Sequence, residues 1–275
     1  MTDNTAMIDY WQTQGTVWVD AQERMDRMLA PLTTALVAAA GLSATDRVID
    51  VGCGCGDTTL MLAAQAASVR GIDVSAPMLA RAQERVSQAG LSNVTLMLED
   101  AASADYSAGF DLLFSRFGVM FFADPEAAFT HMRTALVPGG RLCFLCWQPP
   151  RRNPWMALVG AAIAHLLPEP ETPPDPKEPG PFAFADPDYM RGFLGAAGYA
   201  NVEITPVTET LHLADTVDDA LARLAEIGPL ARALKELEGA PREEALTIAR
   251  RTLEAELRPD GLRLGAACWL VHATA

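Results

Sequence analysis

Three glycines spaced two apart, Gly52, Gly54 and Gly56, stand between an apolar run, Val48-Ile49-Asp50-Val51, and a stretch suited to a helix, Asp57 to Ala64. Residues without side chains let a backbone turn sharply and let a ligand approach the main chain. The spacing narrows the ligand. A dinucleotide turn reads G-x-G-x-x-G with a pyrophosphate against the helix start, whereas this one reads G-x-G-x-G with Asp57 beside it, a charge that repels pyrophosphate. A phosphate-binding loop needs a following Gly-Lys-Ser/Thr, and no lysine is near. The remaining chemistry is recognition of a nucleoside that carries little negative charge. Asp73 closes the run Val69-Arg70-Gly71-Ile72, and its carboxylate can accept from both hydroxyls of a ribose. Asp100, at the end of Val94 to Glu99, can meet an adenine amino group.

These residues need a scaffold that brings the ends of several strands together. The apolar runs before Gly52, Asp73 and Asp100 read as parallel strands covered on both faces. A fourth, Phe110 to Arg116, leads into Phe117 to Phe122, and a fifth, Arg141 to Trp147, follows the turn Pro138-Gly139-Gly140. Asp57 is expected to cap the helix after the glycine turn, since the first amides of a helix lack partners.

In order, Asp50 to Thr59 (DVGCGCGDTT), Gly71 to Ser75 (GIDVS), Glu99 to Ala101 (EDA), Phe114 to Phe122 (FSRFGVMFF) and Leu136 to Leu142 (LVPGGRL) resemble the class I S-adenosylmethionine-dependent methyltransferases. The resemblance is to the small-molecule branch that includes ubiquinone and menaquinone C-methyltransferases, and it covers roughly residues 45 to 148. It implies an α/β, Rossmann-like, doubly wound sheet of seven strands, mostly parallel with an antiparallel last strand, under a helical cap. It also implies S-adenosyl-L-methionine as cofactor and S-adenosyl-L-homocysteine as product. By the same resemblance Asp50, Gly52, Gly54 and Gly56 surround the methionine moiety, and Asp73 holds the ribose, with Val74 and Met78 also among the cofactor-binding residues. Asp100 and Ala101 contact the adenine, and Ser115, Arg116 and Phe117 line the floor near the sulfonium.

Composition sets the limits of this reading. With 275 residues, half of them hydrophobic and a fifth charged, the chain can bury a substantial core. A formal charge of −14 disfavours a polyphosphate substrate, so no nucleic-acid partner is expected. Met1-Thr2-Asp3-Asn4 is acidic and lacks an apolar leader, and the apolar stretch Ala157 to Leu167 is too short to span a bilayer. A cytoplasmic protein without a membrane span is the expectation, as a monomer or homodimer. The five cysteines fit reduced thiols. Cys143 and Cys146, three apart on a strand, point to opposite faces and cannot chelate one metal, and the four histidines lack metal spacing. No metal site is expected.

Outside the core the chain divides into an N-terminal helical cap segment, 1–44, a helix and proline-rich lid segment, 149–188, and a C-terminal part of the sheet, 189–275, with a helical insertion at about 216–258. In the first, Trp18, Ala21, Met25, Met28, Leu29 and Leu32 form one apolar helical face. Tyr10, Trp11 and Trp18 are also candidates for the substrate pocket, with Phe121, Trp147, Phe182 and Phe184. Phe182 and Phe184 lie near the end of a segment with eight prolines between Pro168 and Pro187, just after the turn Pro179-Gly180-Pro181. It reads either as a surface crossover with its rings tucked into the core or as a lid touching substrate. Catalytic candidates are weak. Arg116 can pair with a substrate carboxylate or phenolate, or equally with an acid of the protein. His131 and Tyr10 are the other two, His131 reading more readily as a surface or capping residue. A methyltransferase of a small, partly apolar metabolite with an O, N, S or C acceptor is the leading reading. A non-catalytic cofactor-binding sensor or scaffold, and a nicotinamide-dependent oxidoreductase, are the alternatives.

Overall fold

A computed structural model describes residues 4–107, 109–168 and 175–275. The acidic stretch 1–3 and part of the expected lid, 169–174, lie outside the described residues. The chain forms two compact units, residues 1–147 with 177–207 and 268–275, and residues 148–176 with 208–267.

In the first unit, α1 (Thr5–Ala39) precedes β1 (Arg47–Val51), α2 (Asp57–Ala63), β2 (Ser68–Asp73), α3 (Ala76–Gln88) and β3 (Val94–Leu98). β4 (Phe110–Arg116), α4 (Pro125–Arg133), β5 (Leu136–Trp147) and α6 (Pro187–Ala196) complete its regular elements, apart from strands shared with the second unit. Those are β6 (Ala200–Ala214) and β8 (Gly261–Thr274). The sheet order is β3-β2-β1-β4-β5-β8-β6. β1 lies parallel to β2 and β4, β2 to β3, and β4 to β5, while β8 runs antiparallel to β5 with Arg141 opposite Thr274 and Trp147 opposite Cys268. Reversal of strand order beside β1 places the carboxyl ends of β1 and β4 at the switch point where open α/β sheets bind ligands.

Apolar runs explain the centre of the sheet. Val48, Ile49, Leu112, Leu113, Phe114, Phe144 and Leu145 are fully buried, as strands covered on both faces require. α1 packs along α3, burying Ala21, Leu29, Leu32 and Leu36, while Trp18, Met25 and Met28 of the expected face are half-buried. Phe129, Phe144, Phe184, Phe193 and Tyr199 form an aromatic cluster with ring centroids 4.9 to 6.4 Å apart. Phe184 is fully buried in this cluster.

The second unit contains α5 (Pro154–Ile163), α7 (Val217–Leu224), α8 (Pro229–Glu236), α9 (Gly239–Glu256) and the two-residue β7 (Leu257–Arg258), which pairs with the start of β8. Helical structure from 216 to 258 is broken into three pieces. Gly228 and Gly239 adopt φ of +99° and +57°, and Pro229 starts α8, where its missing amide costs nothing. α9 buries Ala245, Ala249 and Leu253, one stripe four residues apart, and packs on α5. Asn153 ties α5 to β8, donating to the Ala267 carbonyl at 3.0 Å and accepting from its amide at 2.9 Å. Among the described residues no helix is long and apolar enough to cross a membrane.

Candidate functional site

The glycine turn between β1 and α2 is held from below and beside. Gly52, Gly54 and Gly56 have φ of +67°, +53° and +84°, the region that favours glycine. A Cβ on Gly52 would stand 2.8 Å from the Gly118 Cα, whereas one on Gly54 would meet within 4 Å only the Met78 methyl at 3.7 Å. Gly52 thus serves close packing of two loops, and Gly54 has space on its open side.

Asp73 ends β2 and ties this turn in place. Its Oδ2 accepts from the Gly54 amide and its Oδ1 from the Ser75 amide, both at 2.8 Å, and the residue is 7% exposed. Burial pushes its carboxyl above the ordinary range, while those backbone donors pull it down. Asp50, within β1, is fully buried. Its Oδ2 accepts from the hydroxyls of Thr58 and Thr59 at 2.7 Å, and its Oδ1 has no hydrogen-bond partner among the described residues. Burial raises the carboxyl to about 6 against the pull of the threonines. Asp100 follows β3. Its Oδ1 accepts from the Ala102 amide at 2.9 Å, and both oxygens accept from the Asn4 carboxamide at 3.1 and 3.2 Å. Ala101 is buried, with its carbonyl accepting from Tyr106 at 2.9 Å.

After β4 the expected floor residues have mainly internal partners. Ser115 is fully buried, and its hydroxyl donates to the Val51 carbonyl at 2.8 Å and accepts from the Gly118 amide at 3.2 Å, locking β4 to β1. Arg116 donates to Asp57 at 2.6 Å and to the Thr33 hydroxyl, so of its two alternatives the pairing within the protein is the one present. Asp57 itself does not cap α2. Gly56 occupies that position in the left-handed conformation, and Asp57 turns to Arg116 instead, because an ion pair with 15% and 19% exposed side chains outweighs a lone cap. Arg85 extends the network, donating to the Cys55 carbonyl at 2.8 Å and pairing with Asp26 of α1 at 2.9 Å. Phe117 has φ +64° and stacks on Trp147, centroids 4.0 Å apart and planes 6° apart. Strain of this kind persists where surroundings over-determine it.

α1 brings further residues to the same edge. Trp11 stands edge-on to Phe121 at 4.9 Å and to Tyr10 at 5.3 Å, with Trp18 at 5.8 Å. Gln12 donates to the Val74 carbonyl at 2.6 Å and accepts from the Ala76 amide at 3.3 Å. Gly15 allows this approach, since a Cβ there would lie 2.3 Å from the Ser75 hydroxyl. The sequence reading missed Asn4, Gln12, Gly15, Asp26 and Arg85. Only Gly15 carried a signal, a glycine inside a helical pattern that needs a packing reason. Met78 is buried beside Gly54, Phe182 is half-buried, and Tyr10 is 46% exposed. His131 hydrogen-bonds the Ala104 carbonyl at 2.8 Å and lies against the Tyr106 ring, so it anchors the loop after β3. Cys143 approaches His272, and Cys146 approaches Met190, on opposite faces of β5.

Residues 48–140 match the family described as a methyltransferase domain. The class this defines is the class I methyltransferase fold. The YcgJ protein of Bacillus subtilis superposes with a TM-score of 0.59 at 18% identity, over 88% of this chain and 97% of that one. Phosphoethanolamine N-methyltransferase 2 of Haemonchus contortus, solved with S-adenosyl-L-methionine, gives 0.54 at 17% identity, over 89% and 52%. Both likenesses are of fold. In sequence the chain is 35% identical over 128 residues to demethylmenaquinone methyltransferase of Thermus thermophilus, 46% of this chain and 58% of that protein. It spans 44 to 61% of the length of the curated relatives it matches. The chain thus carries a methyltransferase domain at residues 48–140 and shares its fold with these solved structures.

Proposed function

We propose that this chain binds S-adenosyl-L-methionine at the carboxyl ends of β1 to β4 and transfers its methyl group to a small, partly apolar metabolite in the cytoplasm. The observation that carries the reading is the set of three carboxylates, Asp50, Asp73 and Asp100, at or just beyond the ends of three adjacent strands, with Asp73 bonded to the glycine turn at Gly54. The residues present fit the donor. Asp50 Oδ1 is a buried acceptor without a partner among the described residues, suited to the amino-acid end of the ligand. Each Asp73 oxygen accepts one backbone amide and keeps a lone pair, which matches two ribose hydroxyls. Gly54 leaves its open side to a ligand. Negative charge in this arrangement suits a cationic donor and disfavours a pyrophosphate, which argues against the nicotinamide alternative.

When bound, the donor supplies a methyl group already activated by a positive sulfur. What the protein must add is alignment of the acceptor and exclusion of water. The aromatic group of Tyr10, Trp11, Trp18 and Phe121 supports the second task, since its faces also attract a cation. Two of the three catalytic candidates are engaged within the protein: His131 holds the Ala104 carbonyl, and Arg116 holds Asp57. We read the acceptor as one that needs positioning more than deprotonation. Purified protein incubated with methyl-labelled donor and a fractionated metabolite extract should place label in a small molecule. Donor binding without transfer in any fraction would favour a sensor.

A further inference from the structure

The Arg85 guanidinium of α3 reaches two elements at once. Its Nη1 donates to the Cys55 carbonyl of the glycine turn at 2.8 Å, and its Nη2 pairs with Asp26 of α1 at 2.9 Å, the two side chains being 16% and 18% exposed. Asp26 is itself held. Gln22 donates to the same carboxylate oxygen, and Arg81, one turn before Arg85 on α3, donates twice to the Gln22 carboxamide oxygen at 3.1 Å. The fork of an arginine is planar and rigid, so an acid on one prong sets the direction of the other.

What that other prong holds is a peptide unit free to turn. Gly56 has φ +84° and, lacking a side chain, can adopt either sign of φ, so hydrogen bonds decide the direction of the Cys55–Gly56 unit. In a planar trans peptide the C=O and N–H point oppositely, and here both ends are gripped: the C=O by Arg85 and the N–H by the Cys53 carbonyl at 2.9 Å. The Cys53–Gly54 unit is gripped likewise, its C=O by the Gly56 amide and its N–H by Asp73 at 2.8 Å. Between them, the Gly54–Cys55 unit makes no hydrogen bond to a described residue. Its direction is set by the two clamped units that flank it.

We propose that Arg85, aimed by Asp26, is a positioning residue for donor binding. It fixes the Cys55–Gly56 peptide and thereby the backbone on the open side of Gly54, so a carboxylate of α1 acts on donor affinity through a guanidinium of α3. The proposal rests on the reading of the glycine turn as the donor site. A turn whose Cys55–Gly56 peptide is released populates forms that the donor does not fit, and apparent affinity falls in proportion to the competent fraction.

The test is calorimetry with S-adenosyl-L-homocysteine on wild type, Asp26→Asn, Arg85→Met, Arg85→Lys and the double variant Asp26→Asn/Arg85→Met, with melting temperatures and Gly56 amide hydrogen exchange on the same samples. Arg85→Met should bind about tenfold more weakly, with faster exchange at Gly56. Arg85→Lys keeps a donor for the Cys55 carbonyl and should return to within about threefold of wild type. Asp26→Asn should weaken binding about threefold, and adding it to Arg85→Met should change affinity no further, because its effect runs through the guanidinium. A purely structural role would lower the melting temperature and leave the affinity of folded protein unchanged. That result, or additive losses in the double variant, overturns the positioning role and leaves the cofactor reading intact. Asp26→Asn is nearly isosteric and keeps the test alive if Arg85→Met does not fold, since wild-type affinity in it also overturns the proposal. Wild-type protein that gives no heat with S-adenosyl-L-homocysteine overturns both.

Discussion

Asp73→Asn changes one oxygen to an amino group at nearly constant volume, so it isolates what the carboxylate does. In the wild-type chain both oxygens accept backbone amides at 2.8 Å, from Gly54 and from Ser75. An asparagine has one acceptor oxygen. Whichever way its amide is turned, its Nδ2 faces a backbone N–H, and one of the two amides loses its partner. A hydrogen bond to a charged group contributes about 1.5 to 3 kcal/mol. Against this, the buried carboxylate carries a desolvation cost, visible as its raised pKa, that the neutral amide avoids. The net loss of folding stability should therefore be about 1 to 2 kcal/mol, read by urea unfolding at pH 7.

The effect on ligand binding is larger. Each Asp73 oxygen has one lone pair left for a ribose hydroxyl, and the variant keeps that capacity on one side only. Losing one charge-assisted bond of about 1.5 to 3 kcal/mol weakens S-adenosyl-L-homocysteine binding by roughly tenfold to a hundredfold, measured by calorimetry on folded protein. Asp73→Ala should lose at least as much. Wild-type affinity in a folded Asp73→Asn protein would remove Asp73 from the ribose site. Unchanged stability would show that the bonds to Gly54 and Ser75 do not support the turn.

Other substitutions separate packing from binding. Gly52→Ala places a Cβ 2.8 Å from the Gly118 Cα at φ +67° and should cost about 2 to 4 kcal/mol in urea unfolding. Gly54→Ala meets only Met78 and should cost about 1 to 2 kcal/mol, yet calorimetry should show loss of S-adenosyl-L-homocysteine binding. Asp50 has a folded-state pKa of about 6 against an ordinary 3.8, so the folded chain holds its proton more tightly. Its contribution to stability is full below pH 4 and falls as pH rises to 6. Asp50→Asn should remove that slope, and the stability difference between wild type and variant should be level above about pH 7. A double-mutant cycle on Asp57→Ala and Arg116→Ala should give a coupling of about 1 to 2 kcal/mol, and additivity would show the pair to be independent.

Much of the core was legible because each apolar run ended in a residue with a chemical reason to be there. β1 stops at Gly52, β2 ends on Asp73, and β3 stops two residues before Asp100. What the sequence could not show was partner choice. Asp57 and Arg116 are 59 residues apart, and only the return of β4 beside β1 brings the guanidinium to the start of α2. Phe182 and Phe184 share one short segment, yet one is half-buried and the other lies in the aromatic core. Asn4 stands in an acidic N-terminal stretch with no pattern around it, and its contacts join positions 96 and 119 residues away. Local propensity carries no information at that distance.

The commitment of Arg116 to Asp57 bears on the acceptor. A guanidinium just beyond the centre of the sheet would be the natural anchor for a substrate carboxylate or phenolate. Here its partner is an acid of the first turn of α2, with Arg85 approaching the same carboxylate at 3.7 Å and held by Asp26 at 2.9 Å. Drawing Arg116 away would leave Asp57 with a single distant cation in a partly buried position, an arrangement that costs more than a screened surface pair. An anionic acceptor would have to overcome that cost and the repulsion of Asp50, Asp73 and Asp100. The proposed neutral, partly apolar acceptor would face neither penalty and could use the faces of Trp11, Trp18 and Phe121, which fits recognition by shape and apolar contact rather than by an ion pair.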